Sequence, residues 1–325
     1  TLHGSSAASD VYKRQVYRVA LQVPNAAALS FTTNGGWHDC TSLSWPLMRH
    51  WRYSCWGSFM TALALAVPAA GFYLFAALRQ LLVIKGSKAP QRGLLLGFAS
   101  IGALLHLASL SVTLVSEHAL NMAMFQVGSL IALIITLLLL FSAWRKPVDN
   151  LFTGLLPMGA IVAVLAAAIQ HQVLLTNLSY ALIWHILLSI VAFSLFTIAS
   201  VQAILVILQD RNLRKHQTRG LIRSLPPLQT MDALLFEILW LAMLLLTASF
   251  IVGLPVVESL SNQHLIHKVA FSLVGWVVFT TLLFGRYRFG WRGPVAGKWT
   301  LTGTGFLILA YFGTQFVLEY VLERA

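Results

Sequence analysis

Eight long apolar runs, separated by short basic or polar connections, constrain this chain more than any other feature. They fall at about Phe59–Ile84, Gly93–Val115, Asn121–Trp144, Leu151–Ile169, Ala181–Leu208, Ala233–Gly253, His264–Gly285 and Trp299–Val321. At a helical rise of about 1.5 Å per residue, roughly 20 apolar residues cross a hydrocarbon core about 30 Å thick. No water inside that core can satisfy backbone polar groups, so a spanning chain must be helical or a closed barrel. Runs of this length exclude the roughly 10-residue alternating strands of a barrel. The expected fold is therefore all-α, a polytopic membrane bundle of about eight transmembrane helices. Pro68 and Pro157, inside their runs, are expected to kink the helices that carry them.

Of 325 residues, 58% are hydrophobic and 10% charged, against about 45–50% and 25% in soluble domains. So few charges cannot cover a water-soluble fold of this size. A net charge of +12 would suit nucleic acid. The basic residues, however, are confined to the connections, so the expected partner is a lipid bilayer and nucleic acid is not expected. From Arg79 onward, fifteen of seventeen lysines and arginines follow spans one, three, five and seven, the exceptions being Lys268 and Arg324. By the positive-inside rule these basic loops are cytoplasmic, in a multi-pass protein of a bacterial inner membrane. The longest of them, Gln209 to Asp232, reads as a solvated loop near anionic lipid or as a site for another protein. Pro226 and Pro227 stop a helix before span six. No internal repeat of regular period stands out in the residue types.

The first 58 residues read differently. Ser5–Gln15, SSAASDVYKRQ, matches the translation of a transposon-end sequencing adaptor, and such scars stand outside fold reasoning. Val16–Ser58 contains Trp37, Trp45, Trp51 and Trp56 but no long apolar run. The expected organisation is a non-native or disordered leader over 1–58, with Met60 or Met48 as a native start, followed by a transmembrane domain over 59–325. Both cysteines, Cys40 and Cys55, precede the first run, so the membrane body carries no thiol for a disulfide or a thiolate metal site.

Histidine is the informative residue type. His106 lies beyond the midpoint of span two, His185 in the first turns of span five, and His264 and His267 at the start of span seven. His118 and His171 fall in outer loops and read as solvated, and His216 is cytoplasmic. Ionisable groups inside a membrane are costly and mark functional positions, and facing imidazoles can hold haem iron within a bundle. His106 and His185 are candidates on that ground. The alternative for each is a helix cap or a hydrogen bond to a neighbouring carbonyl. His264 and His267, three apart, share one face, as a ligand pair or as interfacial anchors. Glu237 reads as a proton carrier or as a complement to the helix dipole. No paired carboxylates, phosphate-binding glycine loop or Ser/His/Asp grouping supports a hydrolase or kinase, and whether the protein is an enzyme stays open. Trp144, Tyr180, Trp184, Trp291, Trp299 and Tyr320 read as an aromatic belt.

The segments FQVGSLIAL (Phe125–Leu133), WHILLSIVAFSLFTIA (Trp184–Ala199), HKVAFSLVGWVVFTTLLFGRYRFGWRG (His267–Gly293) and LAYFGTQF (Leu309–Phe316) carry a resemblance. The chain from about Met60 onward resembles the CcsA-like cytochrome c assembly proteins, and within them the shorter YpjD/HemX-type inner-membrane branch. That resemblance implies a helix bundle that binds haem and presents it at the outer surface. His185 matches the family's histidine at the start of the helix before the haem-presenting loop, and His106 resembles its first intramembrane histidine. The family's tryptophan-rich motif is missing between Pro255 and Lys268, and its histidines expected near Phe284–Arg286 and Leu322 are missing too. Of four ligand positions two remain. The expected function is binding or presenting haem through His106 and His185, with His264 or His267 assisting. The alternative is a non-catalytic partner of another membrane protein, its histidines structural.

Overall fold

In lipid, a leucine gains nothing by leaving the hydrocarbon for another helix, so helices meet where small side chains let backbones approach. The first helix shows this: Ala62, Ala66, Ala69 and Ala76 are wholly buried, while Val67, Leu74, Phe75 and Leu78 face outward. The computed structural model describes residues 45–86, 89, 91–116, 119–169, 171–175, 179–214, 226–259 and 263–321. Within these, the side chains of 45–57, 116, 255–259 and 263–266 are not described. The leader expected over 1–58, apart from the helical backbone that begins at Trp45, lies outside the described residues, as do His118 and His216.

Among the described residues, eight helices are long and apolar enough to cross a membrane, as the sequence predicts. They are α1 (Trp45–Ile84), α2 (Arg92–Leu114), α3 (Met124–Ala143), α4 (Asp149–Ala168), α5 (Tyr180–Arg214), α6 (Leu228–Ser259), α7 (Gln263–Phe289) and α8 (Gly293–Ile308). α1 and α4 run on through Pro68 and Pro157. α8 continues to Val321 through two π-helical stretches, Leu309–Gly313 and Val317–Val321, so that its apolar span is Gly293–Val321. The one strand structure among the described residues is a minimal antiparallel sheet of β1 (Val115–Ser116), β2 (Ala119–Asn121) and β3 (Leu174–Leu175), in that order. Asn121 ties it together. Its Nδ2 donates to the His171 carbonyl at 3.0 Å, and its Oδ1 accepts from the Val173 and Ala123 amides at 3.0 and 3.2 Å. The bundle therefore has a strand end and, opposite it, a basic end.

Two halves, α1–α4 and α5–α8, repeat one another. α1 packs on α2 and α4 as α5 packs on α6 and α8, and α3 lies on α4 and α2 as α7 lies on α8 and α6. Buried positions coincide under a constant shift for each pair of helices. Leu95, Ala99, Gly102, Ala103, His106 and Ser109 of α2 answer to Leu235, Leu239, Ala242, Met243, Leu246 and Ser249 of α6. Ala69, Tyr73 and Ala76 of α1 answer to Ala192, Phe196 and Ala199 of α5. Phe152, Leu156, Gly159 and Ala163 of α4 answer to Ala296, Thr300, Gly303 and Leu307 of α8. One hydrogen bond recurs as well: Ser109 Oγ donates to the Ala62 carbonyl at 2.8 Å, and Ser249 Oγ to the His185 carbonyl at 3.3 Å. The repetition lives in burial and not in residue identity.

At the basic end each half is pinned by an ion pair across three helices, with the charges reversed. In the first half Arg92, opening α2, donates to the carbonyls of Ala143 and Lys146 and pairs with Asp149 of α4 at 3.2 Å. In the second half Asp232, near the start of α6, accepts from the Gly293 amide at 2.8 Å and pairs with Arg286 of α7 at 2.9 Å. Arg286 also donates to the Trp291 carbonyl and lies over the Phe236 ring. Glu237 pairs with Lys146 across the two halves at the exposed basic end. The core of the first half takes in Ile190 and Ile198 of α5, and the Phe193 ring meets Phe312 edge-on at 5.7 Å, which joins the halves. Asp232 is buried and Arg286 about a third exposed, so removing the carboxylate leaves a partly solvated guanidinium and an unpaired Gly293 amide, and Asp232→Ala is expected to destabilise by about 1–3 kcal/mol. Thermal unfolding in detergent checks this, and Asp232→Ala with Arg286→Met is expected to recover part of the loss.

Candidate functional site

The two intramembrane histidines occupy different halves and have different chemistry. His106 points from α2 between α1 and α3 and is among the most deeply buried side chains, 1% exposed. Its Nε2 lies 2.7 Å from Ser129 Oγ and its Nδ1 3.3 Å from the Tyr73 hydroxyl, with the Tyr73 ring set edge-on. Hydroxyls both donate and accept, so a neutral imidazole is satisfied at both nitrogens here, and no nitrogen is left for a metal unless Ser129 or Tyr73 gives way.

His185 is half-buried at the strand end of α5. Its Nδ1 lies 2.8 Å from the Ser249 carbonyl, which can only accept, so Nδ1 carries the proton. Ser249 Oγ lies 3.1 Å from the same nitrogen and donates to the His185 carbonyl. The other nitrogen, Nε2, then keeps its lone pair, the arrangement by which a second group sets tautomer and aim for a ligating imidazole. Room for the ring comes from Gly253, one turn further along α6: a Cβ there would stand 2.6 Å from Nδ1 and 2.9 Å from Cε1. Trp184 beside it is exposed.

The partners of the two rings do not overlap: Ser129 and Tyr73 serve His106, Ser249 and Gly253 serve His185. His106 answers to Leu246 in the repeat, and His185 to Ala62, so each imidazole stands where the other half has an apolar residue. His267 is exposed on the first turns of α7, and His264 lies on the same helix with its side chain among those not described. His171 is not simply solvated: its ring lies 5.9 Å from that of Tyr320. Among the described residues, no three His, Cys, Asp or Glu side chains converge as a metal-binding group. Tyr73, Ser129, Ser249 and Gly253 do not stand out in the sequence. Small or hydroxyl residues are common throughout such helices, and only the helix pairing shows which ones meet an imidazole.

A polytopic bundle with intramembrane imidazoles, built as two similar halves, defines a class of helical membrane protein without a soluble catalytic domain among its described residues. Its family is shown by sequence: the chain belongs to the cytochrome c assembly protein family, whose family model matches residues 95–322. It is 28% identical over 203 residues to the inner membrane protein YpjD of Escherichia coli strain K12, covering 62% of this chain and 76% of that protein. It is also 31% identical over 140 residues to an uncharacterised 28.8 kDa protein of Azospirillum brasilense, covering 42% and 52% of the two chains. No solved structure matches the chain.

The repeat supplies a direct test of His106. His106→Leu alone leaves two buried hydroxyls with a lost partner and is expected to cost about 1–3 kcal/mol. His106→Leu with Tyr73→Phe reproduces the Leu246 and Phe196 of the second half, leaves only Ser129 Oγ to find a new partner, and is expected to regain part of that stability, read by thermal unfolding in detergent.

Proposed function

We propose that this protein handles haem at the outer face of a bacterial inner membrane, with His185 as the first iron ligand. The observation that carries the reading is the fixed tautomer of His185. With Nδ1–H committed to the Ser249 carbonyl and the ring held against Gly253, the Nε2 lone pair is free at a half-buried position. Haem iron takes one or two axial ligands and needs no cluster of acidic or thiolate groups, so this donor set fits it. Family membership supports haem as the cargo. The basic connections, taken as cytoplasmic by the positive-inside rule, put the strand end, His185 and His267 outside. His264 and His267, at the start of α7 and the same end of the bundle, are the residues that would hold the iron with His185. His106 would join only by giving up Ser129 or Tyr73.

A second reading is favoured by His106 itself, whose two nitrogens are engaged by protein hydroxyls. On that reading the histidines are structural and the protein is a non-catalytic partner of another membrane protein. Haem titration of the purified full chain in detergent separates the two. Saturable binding with a histidine-ligated absorption spectrum is expected, weakened about tenfold or more by His185→Ala, in line with loss of one ligand or its support. Gly253→Val, which crowds the ring without removing it, is expected to weaken binding likewise. His106→Leu with Tyr73→Phe is expected to leave it in place. No saturable binding, or binding indifferent to His185→Ala, leaves the partner reading standing.

A further inference from the structure

The strand end holds a second set of buried polar side chains, unrelated to the imidazoles. Glu319, 4% exposed on the last π-helical stretch of α8, accepts the Met124 amide of α3 at 2.9 Å to Oε1 and 3.3 Å to Oε2. Gln315, 7% exposed one turn earlier, donates from Nε2 to Glu319 Oε1 at 2.7 Å. Its Oε1 accepts from Lys268 Nζ of α7 at 2.8 Å, and the Lys268 ammonium also stands 5.7 Å from the centre of the Tyr311 ring. A carboxylate and an ammonium are thus joined through one amide, and the chain of bonds runs from α7 through α8 to the first turn of α3.

Three features set this apart from ordinary packing. The Met124 amide is one of the unpaired donors of a helix start, where a carboxylate complements both the hydrogen bond and the dipole. It belongs to the first half, whereas Lys268, Gln315 and Glu319 belong to the second. Next, the repeat has no need of it: under the shift that sets the buried Ala132, Thr136 and Leu139 of α3 on Gly275, Phe279 and Leu282 of α7, Lys268 answers to Phe125. Finally, Gln315 and Glu319 lie on or beside π turns, Leu309–Gly313 and Val317–Val321, with only Thr314–Phe316 between them. π turns are rare and concentrate at functional positions. Each holds an extra residue in a turn, so a turn that reverts to α geometry rotates the later residues of the helix by about 100°, enough to carry Glu319 off α3.

We propose that Lys268, Gln315 and Glu319 form a latch that closes the joint between the two halves at the strand end, and that the adjoining π turns let it open. Closed, it fixes the end of α8 and the first turns of α7 against α3. Open, it frees the start of α3 and the surface between Gly128 and Phe312, where a Cβ on Gly128 would now meet the Phe312 ring at 3.5 Å. The charges make the latch cooperative. Losing Lys268 leaves the buried Glu319 carboxylate without compensation, and losing Glu319 strips the half-buried Lys268 ammonium of its counter-charge, whereas losing both leaves a neutral glutamine that still accepts from Met124.

The test is a thiol-accessibility measurement on the full chain in nanodiscs, with Cys40→Ser and Cys55→Ser and a single reporter, Gly128→Cys, reacted with a small methanethiosulfonate. Reaction is expected to be slow in the parent. Lys268→Met and Glu319→Gln are each expected to speed it about tenfold, as removal of one charge from a linked, partly buried set should. Lys268→Met with Glu319→Gln is expected to return it to near the parent rate. Lys268→Arg, which keeps the charge, is expected to stay slow and serves where Lys268→Met does not accumulate. Equal rates in all variants, or a double variant as fast as the singles combined, would overturn the latch. Haem is absent from this measurement, so its outcome is independent of the haem titration.

Discussion

Everything in this bundle depends on the weakness of the force between apolar helices in lipid. A leucine on α7 is as well solvated by acyl chains as by another helix, so burial of large side chains cannot by itself choose a packing arrangement. What chooses it here is close approach at alanine and glycine and a few polar links that would be costly to leave unmade. Ala62, Ala69, Ala76, Ala192, Ala199 and Ala203 are all wholly buried, and they lie on α1 and α5, the two helices around which the halves are organised. The polar links sit at the helix ends: Arg92 with Asp149, Asp232 with Arg286, Glu319 with the start of α3. Each joins segments distant in sequence, so each specifies topology as well as adding stability.

The repetition of the halves gives these links a reference. Where the halves agree, as in the Ser109 and Ser249 bonds from α2 to α1 and from α6 to α5, the feature belongs to the scaffold. Departures from it point elsewhere. His185 stands where the first half has Ala62, beside a serine that bonds the backbone in either case, and its ring adds a bond to that serine's carbonyl that the first half lacks. His106 is a departure of another kind, because it comes with matching hydroxyls on both sides and Tyr73 in place of a phenylalanine. An imidazole with its partners built around it reads as part of the core. One whose Nδ1 is committed to a carbonyl while Nε2 keeps its lone pair is the one on which the proposed haem reading rests.

Legibility in the sequence depends on which signals are local. Membrane spans are local: hydropathy over about 20 residues decides them, and all eight runs became helices, with α8 beginning at Gly293, ahead of the expected Trp299. Family resemblance was legible as well, since it rests on contiguous segments. The repeat was not, because Tyr73 and Phe196, or His106 and Leu246, share burial without sharing chemistry, and the shift between equivalent residues changes from one helix pair to the next. Nor was the partnership of His185 with Ser249 and Gly253, which depends on how α5 faces α6. Lys268 and Glu319 could have been found. Two ionisable residues inside apolar runs are costly enough to need an explanation, and treating Lys268 only as an exception to the charge rule leaves that cost unexplained.

The two polar systems at the strand end bear on one another through α7. His267 adjoins Lys268, so the ammonium that anchors to Gln315 also fixes the rotation of the turn on which His267 stands. The helix is secured at this end by a side chain half-buried against α8 and is otherwise packed mainly on α8, so the proposed latch would tie its first turns to the winding of α8. Any cargo held between His185 of α5 and a residue at the start of α7 would therefore be sensitive to the state of Glu319. That carboxylate lies on a different helix and bonds to the other half of the protein. Coupling of this kind needs no movement of the basic end, where the ion pairs of Arg92 and Asp232 hold each half together independently of the joint. It asks only that the last turns of α8, π-wound at Leu309–Gly313 and Val317–Val321, can exchange that winding for α.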